Sequence, residues 1–203
     1  MLTGSYPDGK VWVTEAKDHR WGCEGITTCY AIYLDDPEDL WEVKTVTETS
    51  KGNESLSRVT ATLPDGYVLT GGGAKASGNE RLLCKSYPGP DAKSWIAECK
   101  DHQIAQSGQV TAWVIGIKPR NGFKLAPSVV SSTTASGNFP SGEINVSPNT
   151  LIGGGAAARW DVEGGLLTKS YPNFDKQCWY AQAKDHGVAE TIRLDIYAIS
   201  RPA

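Results

Sequence analysis

The chain has 203 residues, 39% of them hydrophobic, enough to bury a core without help from a metal. Its 20 Lys and Arg against 23 Asp and Glu, with no block of like charge, exclude the electrostatic footprint of a nucleic-acid partner or of binding to an anionic membrane. No run of about 18 apolar residues occurs, so no transmembrane segment is expected.

Met1-Leu2 runs straight into Ser5-Tyr6-Pro7, Trp12 and Lys17-Asp18-His19. No charged and then apolar leader precedes them, which is also how a mature secreted chain would begin. Tyr30-Ala31-Ile32 follows eleven residues after His19, and residues 1–34 form a partial unit. The next unit, 35–119, opens with a stretch at 45–62 rich in Ser, Thr, Gly and Asn, which reads as polar strands or long loops. It continues with Val68-Leu69-Thr70-Gly71-Gly72-Gly73-Ala74, then Ser86-Tyr87-Pro88, Trp95, Lys100-Asp101-His102 and Trp113-Val114-Ile115. The third unit, 120–203, repeats the plan: a polar opening at 128–149, Thr150-Leu151-Ile152-Gly153-Gly154-Gly155-Ala156, Ser170-Tyr171-Pro172, Trp179, Lys184-Asp185-His186 and Tyr197-Ala198-Ile199. All three histidines of the chain belong to this motif and recur at intervals of 83 residues (19 to 102) and 84 residues (102 to 186). Self-similarity at a fixed period marks a repeat architecture. One compact repeat domain over 1–203 is expected.

The segments are short, rich in aromatic and β-branched residues and bounded by Pro, Gly, Asn and Asp, and no helix-period apolar run occurs; the fold class is all-β. Extended from Trp95 to His102, the chain puts Trp95, Ala97, Cys99 and Asp101 on one face and Ile96, Glu98, Lys100 and His102 on the other. The Trp face is expected to be core and the His face solvent, in all three copies. A hairpin of 82–87 with this strand, pairing Tyr87 with Ile96, sets Lys85 opposite Glu98 and Cys84 opposite Cys99, placing the two thiols for a disulfide. Five cysteines are an odd number; Cys23 and Cys29 are a second candidate pair, which leaves Cys178 free. Copy one has no Gly-Gly-Gly-Ala strand, so its hairpin edge needs cover, and an intrachain strand from 43–49 or 128–134 is the expected one.

An adjacent Asp-His pair invites a hydrolytic reading, but neighbours on a strand point to opposite faces, so the Asp cannot easily orient its own neighbour's ring. Gly-x-Ser-x-Gly, His-Glu-x-x-His and Walker-type loops are all absent. Three imidazoles converging on a pseudo-threefold axis would suit zinc, yet a lone His beside Lys and Glu is more often solvated; no metal and no cofactor are expected. The structural reading of Asp18, Asp101 and Asp185 is that each accepts hydrogen bonds from loop backbone. The functional reading is a sugar site in each copy, built from Tyr6, Asp18 and His19, from Tyr87, Asp101 and His102, and from Tyr171, Asp185 and His186. There the ring packs on sugar C–H groups and the polar groups fix the hydroxyls. Repetition adds avidity.

The pattern Gly-Gly-Gly-Ala, Leu-Leu-x-x-Ser-Tyr-Pro, Trp-x-x-x-x-Lys-Asp-His and Tyr-Ala-Ile resembles a poorly characterised β-repeat of secreted microbial proteins, which implies a secreted or extracellular location. Three related hairpin units also resemble the pseudo-threefold β-prism of some lectins, although the Gly-x-x-x-Asp sugar loop of the jacalin type is not evident; a β-sandwich-like pair of antiparallel sheets is the alternative. The expected function is that of a carbohydrate-binding, lectin-like protein that is not an enzyme, with a glycan partner and repetition compatible with a homo-oligomer. The alternatives are a secreted toxin or membrane-lesion component, suggested by the alternation in 43–62, a structural or adhesion repeat, and a hydrolase using Asp-His.

Overall fold

The computed structural model describes residues 1–18, 22, 24–52, 54–161 and 164–203. Among these, all regular structure is β, in fourteen strands. The partial first unit contributes β1 (Leu2–Asp8) and β2 (Val11–Ala16). The second contributes β3 (Trp41–Thr49), β4 (Leu56–Thr62), β5 (Val68–Ala76), β6 (Arg81–Pro88), β7 (Ser94–Asp101) and β8 (Val110–Pro119). The third repeats that series as β9 (Ser128–Thr133), β10 (Ser141–Asn145), β11 (Thr150–Arg159), β12 (Leu166–Asn173), β13 (Cys178–Lys184) and β14 (Arg193–Arg201). The polar openings at 45–62 and 128–149 thus each contribute two strands, and their Thr, Val and Ser content suits edge positions.

The sheets do not coincide with the sequence units. One has the order β2-β1-β5-β8-β3, a second β4-β7-β6-β11-β14-β9, and a third β10-β13-β12, all antiparallel. The Ser-Tyr-Pro strand of one unit pairs with the Gly-Gly-Gly-Ala strand of the next: Ser5 opposes Ala74, and Ser86 opposes Ala156. The glycines are what let the strands approach, since a Cβ at Gly73 would collide with the Ser5 carbonyl and one at Gly155 with the Ser86 carbonyl. The edge of β1 is therefore covered within the chain, as expected, but by β5. Residues 43–49 instead lie in β3 against β8, and 128–133 in β9 against β14. Because each hairpin borrows the next unit's strand, β12 is, among the described residues, the Ser-Tyr-Pro strand with no glycine strand beside it.

The three Ser-Tyr-Pro strands β1, β6 and β12 contact one another, and the motif tryptophans line a shared cavity beside them. Each indole Nε1 donates to the Ser of its own motif, Trp12 to Ser5 at 2.9 Å, Trp95 to Ser86 at 3.0 Å and Trp179 to Ser170 at 2.9 Å. That bond is why Ser and Trp recur together. It satisfies the polar edge of a ring whose body is buried. Trp95 is 1% exposed, in a core with Leu69, Leu83, Ala97 and Val114, while Trp12 and Trp179 are half-buried.

Lys85 stands opposite Glu98, and their ion pair spans 2.7 Å, as the expected register requires. The cysteine pairing fails. A β-bulge between Leu83 and Lys85 makes Cys84 the extra residue, so Leu83 faces Cys99 and both thiols are free. Burial pushes the Cys84 thiol far above its ordinary range, and its Sγ donates to the Glu98 carbonyl at 3.3 Å. Bulges recur at Thr3 and Thr168 in the other two hairpins and at Thr70 and Ile152 in the glycine strands, so they belong to the repeat. Cys29 and Cys178 are also free, and Cys23 lies outside the described residues.

The expectation of a solvent-facing His side is corrected in copy two. Ile96, Glu98, Lys100 and His102 are all buried, so β7 is covered on both faces. Trp160 and Gly164 of the next unit lie over it: Lys100 Nζ donates to the Gly164 carbonyl, and the Lys85 and Lys100 ammoniums sit 5.0 and 4.3 Å from the Trp160 ring. His102 is 1% exposed, its Nε2 paired with the His186 carbonyl and its ring 5.6 Å from the His186 ring. In copy three, Gln182, Lys184 and His186 are half-buried.

Candidate functional site

Alternation within Ser-Tyr-Pro sends the Ser inward to its Trp and the Tyr to the outer face of the sheet. There each motif tyrosine meets the aromatic that lies eleven residues after the histidine of the following unit. Tyr6 stacks on Trp113 with ring centroids 4.8 Å apart and planes 16° from parallel, and Tyr87 stacks on Tyr197 at 4.9 Å and 27°. The two rings of each pair stand on strands separated by a glycine strand, which holds no side chain between them at Gly73 or Gly155. On the third face Tyr171 stacks on Tyr30 at 5.2 Å and tilts against Tyr180 at 5.0 Å. All of these rings are half-buried or exposed, so each face presents aromatic surface to solvent.

Charged groups border the rings. On the first face Tyr6 Oη donates to Glu15 at 2.8 Å, and Lys75 Nζ donates to both Tyr6 Oη and Glu15 at 2.9 Å. Burial acts to raise the Glu15 carboxyl, but the hydrogen bonds from Lys75 and Tyr6 outweigh it and hold it below the ordinary carboxylate range. Hydrogen bonds to Tyr6 and Glu15 hold the Lys75 ammonium above its usual value. On the second face Arg159 pairs with Asp195, which also accepts the Thr133 hydroxyl at 2.7 Å, and burial pushes the Tyr197 phenol up. On the third, burial raises the Tyr171 phenol.

The sequence-stated trios of Tyr, Asp and His do not form single sites. Tyr87 pairs with Ile96 near the turn of its hairpin, whereas Asp101 pairs with Arg81 at the far end, about 16 Å along the strand. Asp101 Oδ2 accepts the Gln106 backbone N–H at 3.0 Å, and Asp185 Oδ2 accepts that of Glu190 at 3.2 Å and the Asn138 amide at 3.1 Å. Both carboxylates cap the loop five residues on, as the structural reading of the motif expects. Asp18 is exposed, His19 lies outside the described residues, His102 is buried from any solvent ligand, and His186 is half-buried. Glu15, Lys75, Trp113, Arg159 and Tyr197 were not singled out as site residues. The signal available for Trp113 and Tyr197 was the aromatic repeated at a fixed distance from each histidine.

The stretch 43–62 suggested an insertion hairpin. It is split between β3 on an edge of one sheet and β4 on an edge of another. Among the described residues no helix is long and apolar enough to cross a membrane, and no three His, Cys, Asp or Glu side chains cluster as metal ligands. Comparison with protein-family models, with curated proteins and with solved structures finds no match.

Proposed function

We propose that this protein is a non-enzymatic, lectin-like carbohydrate-binding module acting on extracellular glycans. The observation that carries this reading is the solvent-facing aromatic pair bordered by a charged network, most completely Tyr6 and Trp113 with Glu15 and Lys75. An aromatic ring takes the apolar C–H face of a sugar, while carboxylate and ammonium groups bind its hydroxyls. Related aromatic pairs on separate faces of one rigid body suit multivalent surfaces, where weak sites add through effective concentration. The Asp101 and Asp185 carboxylates cap loops and the His102 ring is buried, which favours binding over hydrolysis.

A glycan array probed with wild type, Trp113→Ala and Tyr197→Ala tests the reading. Wild type should bind, and each variant should lose about tenfold in affinity, near 1.4 kcal/mol, with the folded state intact. Binding through Glu15 needs its charged form. Because that carboxyl is depressed, binding should persist at mildly acidic pH and be lost only as pH falls through the depressed value. No binder above background, or unchanged binding by both variants, sinks the proposal.

A further inference from the structure

A cavity of about 910 Å³ is lined by all three Ser-Tyr-Pro strands, including the edge strand β12 along residues 167–172. Residues 167–172 of β12 line it together with Tyr30, Ile32, Trp12 and Gly71. We propose that this groove docks an extended peptide strand in which a leucine-type residue and one spacer precede three glycines and an alanine.

The two sister positions in the same molecule are filled by such strands and specify the fit. In β5 and β11, the second glycine lies where a Cβ would strike the Trp95 or Trp179 ring and the carbonyl of Trp113 or Tyr197. The third glycine lies where a Cβ would strike the Ser5 or Ser86 carbonyl. The corresponding groups of the open groove are Trp12, Tyr30 and Ser170. They stand in the matching relation, because Tyr30 stacks on Tyr171 as Trp113 stacks on Tyr6 and Tyr197 on Tyr87. The first glycine shows where the docked chain would run. A Cβ at Gly153 would collide with the carbonyl of Thr70, the bulge residue of the preceding unit's glycine strand, whereas a Cβ at the equivalent Gly71 meets nothing within 4 Å among the described residues. Threefold repetition thus places the spacer carbonyl of a docked strand against Gly71. Leu69 and Leu151, which precede the glycines, are buried, so the apolar residue of the ligand has a matching interior place. Main-chain hydrogen bonds along the β12 edge supply affinity, and the requirement for glycine supplies selectivity.

The probe is a synthetic peptide copying Val68–Ala76, fluorescently labelled and titrated against the whole chain to about 1 mM. A control peptide carries Val at the positions of Gly72 and Gly73. Saturable binding of the first, at least tenfold weaker binding of the second, and slower amide exchange in β12 on binding are expected. Gly71→Ala should keep the stability of the free protein, since its Cβ meets open space, yet weaken peptide binding at least tenfold by obstructing the docked carbonyl. Absence of saturable binding, equal binding of both peptides, unaltered binding by Gly71→Ala, or protection arising on β1 or β6 in place of β12 overturns the proposal. So does protein self-association that protects β12 without peptide, which would make a second copy the occupant.

Discussion

The His102 imidazole is buried against the His186 carbonyl, while the His186 ring itself stays half open to solvent. Removing His102 leaves a cavity and an unpaired carbonyl, so His102→Ala should destabilise by about 2–3 kcal/mol. His186→Ala removes a partly solvated ring but not its backbone carbonyl, and should cost under about 1 kcal/mol. Urea unfolding of both variants distinguishes the two environments, and equal losses would contradict them. The same three letters, Lys-Asp-His, therefore serve unlike surroundings. Strand alternation in the sequence separates Asp from His correctly, and it anticipates the loop-capping role of Asp101 and Asp185. It carries no information that Trp160 and Gly164 of the next unit will cover one copy of the His side, because that contact depends on how units pack.

Strand identity and register were legible to within the bulges. Tyr87 opposite Ile96 and Lys85 opposite Glu98 follow from pairing charges across a hairpin, but one inserted residue reverses the facing of everything beyond it. Cys84 looks like an ordinary strand residue in the sequence, and nothing local marks it as the inserted one. The glycine runs were read as places of close backbone approach, and the structure assigns their partners. At Gly73 the neighbour is the Ser5 and Tyr6 backbone, which cannot move without parting β1 from β5. Gly73→Ala should cost about 2–4 kcal/mol, a backbone clash in the middle of a sheet. Gly71→Ala, two residues away in the same strand, should stay within about 0.5 kcal/mol or gain slightly from the lost chain entropy of glycine. Thermal or urea unfolding of the pair checks this, and a large loss for Gly71→Ala would mean that the groove beside it is not open.

At the scale of the molecule, the period of the histidines exposes the three units but not where each sheet begins and ends, since a sequence repeat is unaltered if every hairpin pairs with its own glycine strand or with its neighbour's. The second arrangement holds here. It covers β1 with β5 and β6 with β11, and it moves the free edge from the copy that lacks a glycine strand to the far copy, at β12. Amide exchange reads this displacement directly. β1 and β6 are bonded to β2 and β7 on one side and, at Gly4–Ser5 and Lys85–Ser86, to β5 and β11 on the other, whereas among the described residues β12 is bonded only through β13. The outer-edge amide of β12 at Lys169–Ser170 should therefore exchange orders of magnitude faster than its counterparts at Gly4–Ser5 of β1 and Lys85–Ser86 of β6, in a dilute monomer and without any opening of the core. Had each hairpin kept its own glycine strand, the unprotected row would lie in β1. Uniform protection of all three strands at low concentration would show that the β12 edge is covered by some other part of the chain.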